Sequence, residues 1–86
     1  MKAAHIRKDA YKILNHACQH SDSELNFAGK ASEIVEKLHI DDNTLHLALI
    51  YLKSSGMLRD IQLDANGVLK ILGIHYLAIN WLADFR

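Results

Sequence analysis

EIVEKLHIDDNTLHLALIYLKSSGML, residues 33–58, has the pattern of two helices joined by a tight turn. Asp41, Asp42 and Asn43 precede the second helix and carry the carboxylate and amide oxygens that cap helix N-termini. Gly56 is expected to take the left-handed conformation that ends this helix. Between these ends, apolar residues recur at i, i+3, i+4 and i+7, which predicts one buried face made of Leu45, Ala48, Leu49 and Leu52.

The composition indicates one small globular domain, residues 1–86. Half of the 86 residues are apolar, which excludes a disordered chain. Lys and Arg together number 10, as do Asp and Glu, so the chain is neutral when its six histidines are uncharged. A dedicated nucleic-acid-binding domain usually has a basic excess on at least one face, so neutrality lowers the expectation of a strongly basic interface.

Several features predict a cytoplasmic protein. Cys18 is the only cysteine, which excludes an internal disulfide. The first ten residues, MKAAHIRKDA, lack the apolar run of a signal peptide. Residues 68–85 are strongly apolar, but no membrane span is expected because four polar residues interrupt them: Lys70, His75, Asn80 and Asp84.

Apolar periodicity predicts three helices in the first two thirds of the chain. The second is expected from about residue 30 to 38 and the third from about 43 to 55. Residues 21–26 are polar and predict a loop, after which Phe27 enters the core as the chain begins the second helix. The first helix is expected over residues 3–20, with an apolar stripe made of Ile6, Ala10, Ile13, Leu14 and Ala17.

A short β-hairpin is predicted after the third helix. Ile61 and Leu63 alternate with polar residues, as in a half-buried strand. Asn66-Gly67 is the strongest short signal for a hairpin turn, and Val68 can begin the return strand. The hairpin is expected to hold about two to five residue pairs.

The helical period returns from about Lys70 and predicts a C-terminal helix that is apolar around much of its circumference. One stripe comprises Ile71, Ile74, Leu77, Ala78, Trp81, Leu82 and Phe85. Such a helix is either deeply buried or covered by a partner, and a small domain offers little depth. A homodimer is therefore predicted through a second stripe of this helix, formed by Leu72, Tyr76 and Ile79 with Trp81 beside them.

Two segments resemble winged helix-turn-helix domains, and together with the order of the elements the resemblance covers essentially the whole chain. Residues 69–77, LKILGIHYL, resemble the LTxxGxxYL segment that follows the wing and opens the last helix in many such proteins. His39 stands where the family often has Gly. The stretch at 33–58 resembles the bacterial regulator pattern ELAxxLxIxxxTVxxxLxxLxxxGLI, with matches at Ile34, Leu38, Ile40, Thr44, Leu45, Leu49, Leu52, Gly56 and Leu58.

The resemblance implies an α+β, mostly helical fold with three helices, a short two-stranded wing and a C-terminal helix. Small winged-helix proteins from bacteria and phages often look like this chain. The resemblance further implies a transcriptional regulator that binds duplex DNA, and the predicted contact on the C-terminal helix would make it a homodimer. In a helix-turn-helix, the second helix reads base edges from its N-terminal half, where this chain has Asn43, Thr44 and His46. Phosphate contacts are expected from basic side chains on and after this helix, namely Lys53, Arg59 and Lys70.

The outer face of the third helix departs from the pattern of a DNA-reading helix. Leu47, Ile50 and Tyr51 are apolar, and Asp41 and Asp42 would face phosphates with the wrong sign of charge. Three interpretations stay open: Leu47 and Ile50 pack under the first helix or the wing, they form a protein-binding or dimer surface, or they meet thymine methyl groups. The alternative function is a protein–protein interaction module, such as a phage-type inhibitor or adaptor, that docks through Leu47, Ile50 and Tyr51.

No catalytic motif, cofactor motif or complete metal site is present in the sequence, and an enzyme is not expected. His16 and His20 are four residues apart on the first helix, so their rings could share a metal ion. Cys18 would point about 200° away from either ring and cannot complete such a site. Two exposed polar residues near a helix end are the simpler interpretation.

Overall fold

The structure is a computed structural model that describes residues 3–85, with side chains described for residues 6–84. Within these residues the fold is α+β, which confirms the predicted class. In chain order the helices and strands are α1 (Ala3–Gln19), β1 (Phe27–Lys30), α2 (Ala31–Leu38), α3 (Asp42–Ser54), β2 (Leu58–Leu63), β3 (Val68–Ile74) and α4 (Tyr76–Phe85).

One hydrophobic core receives side chains from all seven elements. The predicted stripe of α1 is confirmed: Ile6 is half-buried, and Ala10, Ile13, Leu14 and Ala17 are buried. Each large apolar side chain that is fully buried contributes roughly 1.5–3 kcal/mol to stability. The largest of these side chains are Ile13, Leu14, Leu52, Leu69 and Ile71.

The predicted pair of helices is present as α2 and α3, separated by residues 39–41. His39 ends α2 in the left-handed conformation, with φ 56° and ψ 47°. Asp41 caps α3 as predicted, because its Oδ1 accepts the Thr44 N–H at 2.6 Å. Gly56 has φ 75°, which confirms the predicted left-handed residue after α3. The inner face of α3 is also confirmed, with Leu45, Ala48, Leu49 and Leu52 buried.

The sheet has three antiparallel strands in the order β1-β3-β2, one strand more than predicted. The predicted hairpin is confirmed, and its register runs from Leu58–Ile74 to Leu63–Leu69. The additional strand begins at Phe27, which pairs with Ile71 instead of entering a helix directly. This strand has only four residues, and two of them are Ala28 and Gly29, which have low strand propensity, so its extended form depends on pairing with β3 rather than on local preference.

The prediction that the last helix begins near Lys70 is wrong. β3 continues through Ile74, and α4 begins at Tyr76, so Ile71, Leu72 and Ile74 belong to a strand. The sequence from 68 to 74 fits both the strand period of two and the helical period of 3.6. Leu69 and Ile71 are two residues apart, as on one face of a strand, and Ile71 and Ile74 are three apart, as on one face of a helix. A near-continuous apolar run is expected of a central strand, which is the position that β3 occupies. Phe85 of the predicted stripe lies outside the described side chains.

Gly73 distorts the end of β3 and is held there by the loop before β1. It has φ 63°, and its N–H donates to Asn26 Oδ1 at 2.8 Å. The next amide, of Ile74, donates to the Leu25 carbonyl at 3.0 Å. A Cβ on Gly73 would lie 2.8 Å from the Cβ of Arg59 on β2. Both the backbone conformation and the close approach of β2 therefore require glycine.

Candidate functional site

A groove with a volume of about 440 Å³ lies between α3 and the hairpin. Its floor is formed by buried residues, including Leu45 and Leu49 of α3 and Leu69 of β3. The groove is therefore an open extension of the hydrophobic core. The rest of its lining comes from α2, α3 and β2, and comprises Ala31, Asp42, His46, Ile50, Lys53, Ile61 and Leu63.

Two large apolar side chains on the walls of this groove are exposed to solvent. Ile50 of α3 is 49% exposed and Leu63 of β2 is 65% exposed. Single exposed apolar residues are ordinary on protein surfaces, but these two share one concavity with an apolar floor. Covering them would contribute roughly 1–2 kcal/mol each, because part of each side chain is already buried. The groove therefore has the character of a binding surface.

An ion pair at the edge of the groove joins α3 to β2. Lys53 Nζ lies 3.3 Å from Asp60 Oδ1, and both side chains are exposed. The Ile61 N–H donates to the same oxygen at 2.9 Å. This hydrogen bond, followed by that of the Lys53 ammonium, holds the pKa of Asp60 below its ordinary value. Lys53 is the only lysine or arginine of α3, so this helix has no such cation without an acidic neighbour.

The three residues predicted to read bases occupy different environments on the first half of α3. Asn43 and His46 are exposed, and His46 lines the groove. Thr44 is half-buried, and its N–H is donated to Asp41 Oδ1. Hydrogen bonding from the Thr44 side chain, and after it from this N–H, holds the pKa of Asp41 below its ordinary value. Asn43 and His46 are therefore the members of this predicted set with exposed side chains.

The predicted phosphate-binding residues do not gather around α3. Lys53 lines the groove, paired with Asp60. Arg59 is exposed on β2 beside Gly73, and Lys70 is exposed on β3 between its paired partners Ala28 and Gln62. Arg59 and Lys70 therefore lie on the sheet and do not line the groove.

The three apolar residues predicted to bind a partner are divided between two sides of α3. Ile50 lines the groove, whereas Leu47 and Tyr51 do not. Leu47 is half-buried, and Tyr51 is half-buried with its side chain packed against the core. Helical geometry places Tyr51 about 100° from Ile50, so these residues do not form one continuous surface.

On α4, the exposed large apolar residues are Tyr76, Leu77 and Ile79, at 65%, 51% and 46% exposure. The sequence predicts Tyr76 and Ile79 at a dimer contact and Leu77 on the other stripe. Trp81 is half-buried with its ring centroid 6.2 Å from that of Tyr11, and Leu72 is half-buried on β3. Of the predicted dimer set, Tyr76 and Ile79 therefore form its exposed part on α4.

A second cavity, with a volume of about 270 Å³, lies where the end of α1 meets β1 and α2. The ring centroids of His16 and His20 are 4.6 Å apart, and the edge of the His16 ring packs against Phe27 at 5.4 Å. Burial lowers the pKa of His16, and the nearby His20 and Lys37 charges lower it further. The cavity is lined by His16, His20, Phe27, Ala28, Gly29, Lys30, Glu33, Ile34 and Lys37.

His16 is half-buried, which differs from the prediction of two exposed histidines. Cys18 is half-buried outside the lining of the cavity, and burial raises the pKa of its thiol. Within the described residues, no group of three or more His, Cys, Asp and Glu side chains is placed to hold a metal ion.

Sequence reasoning missed Asp60, which pairs with Lys53 at the edge of the groove, and underestimated Leu63 as part of the groove lining. The alternation of Ile61 and Leu63 indicated a shared face, but only the position of α3 determines where that face is covered. Asp60 had no signal in the sequence, because its partner Lys53 lies on a different element.

The chain matches no protein-family model, no curated protein and no solved structure. None of the helices in residues 3–85 has the length and apolar character needed to cross a membrane.

Proposed function

We propose that this chain is a winged helix-turn-helix domain that binds another protein in the groove between α3 and the hairpin. The fold assignment is supported by the short turn at 39–41, since a helix-turn-helix joins its helices through three or four residues. The hairpin that follows α3 and the final helix α4 take the places of the wing and the C-terminal helix.

The observation that carries the proposed function is the exposure of Ile50 and Leu63 on the walls of one apolar groove. Grooves with apolar floors and a few polar groups at the rim are the usual form of binding sites for helices and small ligands. Asp42, His46 and the Lys53–Asp60 pair supply the polar groups beside this groove. An amphipathic helix with its apolar side in the groove is the partner that this arrangement fits best.

The charges around α3 favour a protein partner over DNA. Asp41 and Asp42 are exposed at the N-terminal end of α3, the end that a DNA-reading helix inserts between the two phosphate backbones of the major groove. Lys53 is paired with Asp60, and the turn of the hairpin carries Asp64 and no basic residue. Because DNA affinity comes largely from Lys and Arg at phosphates, this surface is poorly suited to DNA.

A DNA-binding regulator is the second candidate, and the exposure of Asn43 and His46 on the first half of α3 favours it. These side chains could reach base edges, while Arg59 and Lys70 could contact the DNA backbone. Such a regulator would act as a homodimer through Tyr76 and Ile79 of α4. A cytoplasmic location belongs to both proposals, since one cysteine leaves no pair for an internal disulfide.

Duplex DNA binding separates the two candidates. Fluorescence anisotropy with labelled random-sequence duplexes at low and moderate salt should show no binding that weakens steeply with salt. Salt-dependent binding that is lost in the double variant Arg59→Glu, Lys70→Glu would overturn the protein-binding proposal in favour of the regulator.

Binding in the groove can be tested with a displayed library of amphipathic helical peptides. Peptides selected on the wild type should bind Ile50→Asp and Leu63→Asp at least about tenfold more weakly, since a buried charge opposes each apolar contact. Leu77→Asp is a matched control, because Leu77 is 51% exposed on α4 and Ile50 is 49% exposed on α3.

The control variant should keep wild-type affinity. Thermal melts should show that all three variants fold, since each replaced side chain is about half exposed or more. The proposed function would be contradicted if the selected peptides bound Ile50→Asp and Leu63→Asp as tightly as the wild type, or if the selection yielded no binding peptide.

A further inference from the structure

We propose that the cavity between α1, β1 and α2 binds a phosphate group, held by His16, His20, Lys30 and Lys37. This site is separate from the groove, and its lining shares no residue with that of the groove. The inference is therefore independent of the proposed function.

The basic side chains of this cavity come from three elements that the fold brings together. His16 and His20 lie in and just after the last turn of α1, and Lys30 ends β1. Lys37 lies in the last turn of α2. Residues so far apart in sequence do not form a basic patch by local repetition, so the tertiary fold creates the cluster.

The charges that face the cavity favour an anion. Glu33 is the one acidic residue of the lining, against the two lysines Lys30 and Lys37. Protonation of His16 and His20 adds positive charge beside them. Ammonium and imidazolium groups donate charge-assisted hydrogen bonds to phosphate oxygens, and these bonds are about twice as strong as neutral ones.

Ring packing positions His16, the half-buried donor of the four. The rings of His16 and Phe27 pack edge to face, with their centroids 5.4 Å apart. The centroids of the His16 and His20 rings are 4.6 Å apart. A volume of about 270 Å³ accommodates a phosphate group, which is only a few water molecules in size. The two imidazoles therefore converge on a space of suitable size.

The electrostatic environment of His16 agrees with this assignment. The charges of His20 and Lys37 contribute to the lowered pKa of His16, after burial as the largest cause. A phosphate between these groups would offset that repulsion, so bound phosphate should raise the pKa of His16.

NMR of the histidine ring resonances tests the site with inorganic phosphate as the probe. At pH 6.0 and constant ionic strength, phosphate should shift the His16 and His20 resonances saturably and leave those of His75 unchanged. Sodium chloride should not reproduce these shifts. A parallel titration with adenosine monophosphate compares free phosphate with a phosphate carried by a nucleotide. The ligand with the lower dissociation constant is the better match to the site.

Two lysine variants separate a specific site from general charge attraction. Lys37→Gln should weaken phosphate binding about tenfold, the effect of losing one hydrogen bond to a charged group. Lys12→Gln removes an exposed lysine of α1 outside the cavity and should leave the affinity unchanged. Two results would overturn the proposal. One is equal weakening of phosphate binding by both variants. The other is that phosphate and adenosine monophosphate shift the histidine resonances no more than sodium chloride does.

Discussion

Lys53 Nζ and Asp60 Oδ1 lie 3.3 Å apart, and this contact joins the C-terminal part of α3 to the edge strand β2. The same carboxylate oxygen accepts the Ile61 N–H at 2.9 Å. Asp60 therefore holds a backbone amide and a side-chain cation at once. The contact links α3 and β2, the two walls of the groove, at their exposed edge.

Replacing Lys53 with Gln should raise the pKa of the Asp60 carboxyl toward its ordinary value without reaching that value. The pKa lies below the ordinary value of 3.8, and the Ile61 N–H is its largest cause, ahead of Lys53. Carboxyl ¹³C titration by NMR measures the change. A return to 3.8 in Lys53→Gln would show that the amide hydrogen bond has little effect, contrary to the structure.

His39→Gly should stabilise the protein. His39 has φ 56°, and the left-handed conformation destabilises a residue with a Cβ by roughly 1–2 kcal/mol. Glycine relieves this strain but loses more backbone entropy on folding, so a net gain of about 0.5–1 kcal/mol is expected. Urea denaturation measures the free energy of unfolding.

His46→Gly, in the interior of α3, is the matched control for that substitution. Its helical backbone gains nothing from glycine, so the free energy of unfolding should fall by roughly 0.5 kcal/mol. Destabilisation by His39→Gly would show that the His39 side chain contributes more than its backbone strain removes.

Gly73→Ala should destabilise the protein by roughly 2–4 kcal/mol, because strain and overlap act together. The added Cβ would lie 2.8 Å from Arg59 Cβ at a position with φ 63°. Gly67→Ala provides the strain alone, since Gly67 has φ 78° and open space where an added Cβ would lie. It should therefore lose only about 1–2 kcal/mol. If urea denaturation showed the same loss of unfolding free energy for Gly73→Ala and Gly67→Ala, β2 would have moved away from the added Cβ at no cost.

The stability of the protein should decrease as the pH falls below about 6.5 because of His16. Its pKa in the folded state lies below the ordinary value of 6.5, so the unfolded chain binds the proton more readily. This contribution to stability is complete above pH 6.5 and is lost as the pH falls through the folded-state pKa. Urea midpoints between pH 8 and 5, in buffers without phosphate, should fall less steeply for His16→Gln than for His46→Gln, which replaces an exposed histidine. Parallel slopes for the two variants would contradict the prediction.

Association through α4 should appear in sedimentation at tens of micromolar protein. Tyr76 is 65% exposed and Ile79 is 46% exposed, and they lie three residues apart on one side of α4. The wild type should sediment as a dimer and Tyr76→Glu as a monomer, because a charge would have to be buried at the contact. Gln62→Glu, on β2, should remain dimeric. A monomeric wild type would remove the homodimer that belongs to the DNA-binding candidate.

The elements that the sequence predicts correctly are those fixed by local pattern. The cap at Asp41, the left-handed Gly56 and the Asn66-Gly67 turn each depend on a few neighbouring residues. The buried stripes of α1 and α3 follow from a regular period. Local signals of this kind survive folding because the tertiary structure does not oppose them.

Features that depend on distant pairing could not be predicted. β1 is a strand because Phe27 pairs with Ile71, and the run after Val68 is a strand because it lies between two others. The groove could be predicted only in part: the sequence makes Ile50 a candidate for a binding surface, but its association with Leu63 depends on how α3 faces the hairpin. The cavity at His16 likewise requires α2 to contribute Lys37.

The pairing of β1 with β3 also has a consequence for the order of folding. The contact between Phe27 and Ile71 closes a chain loop that contains α2, α3 and β2, whereas the β2–β3 hairpin closes only a tight turn. Long loops lose more chain entropy on closure and their contacts form later. We therefore expect the hairpin and the α2–α3 pair to form first and β1 to dock last. Since β1 also supplies four lining residues, including Lys30, to the cavity between α1, β1 and α2, that cavity would be complete only at the final step of folding.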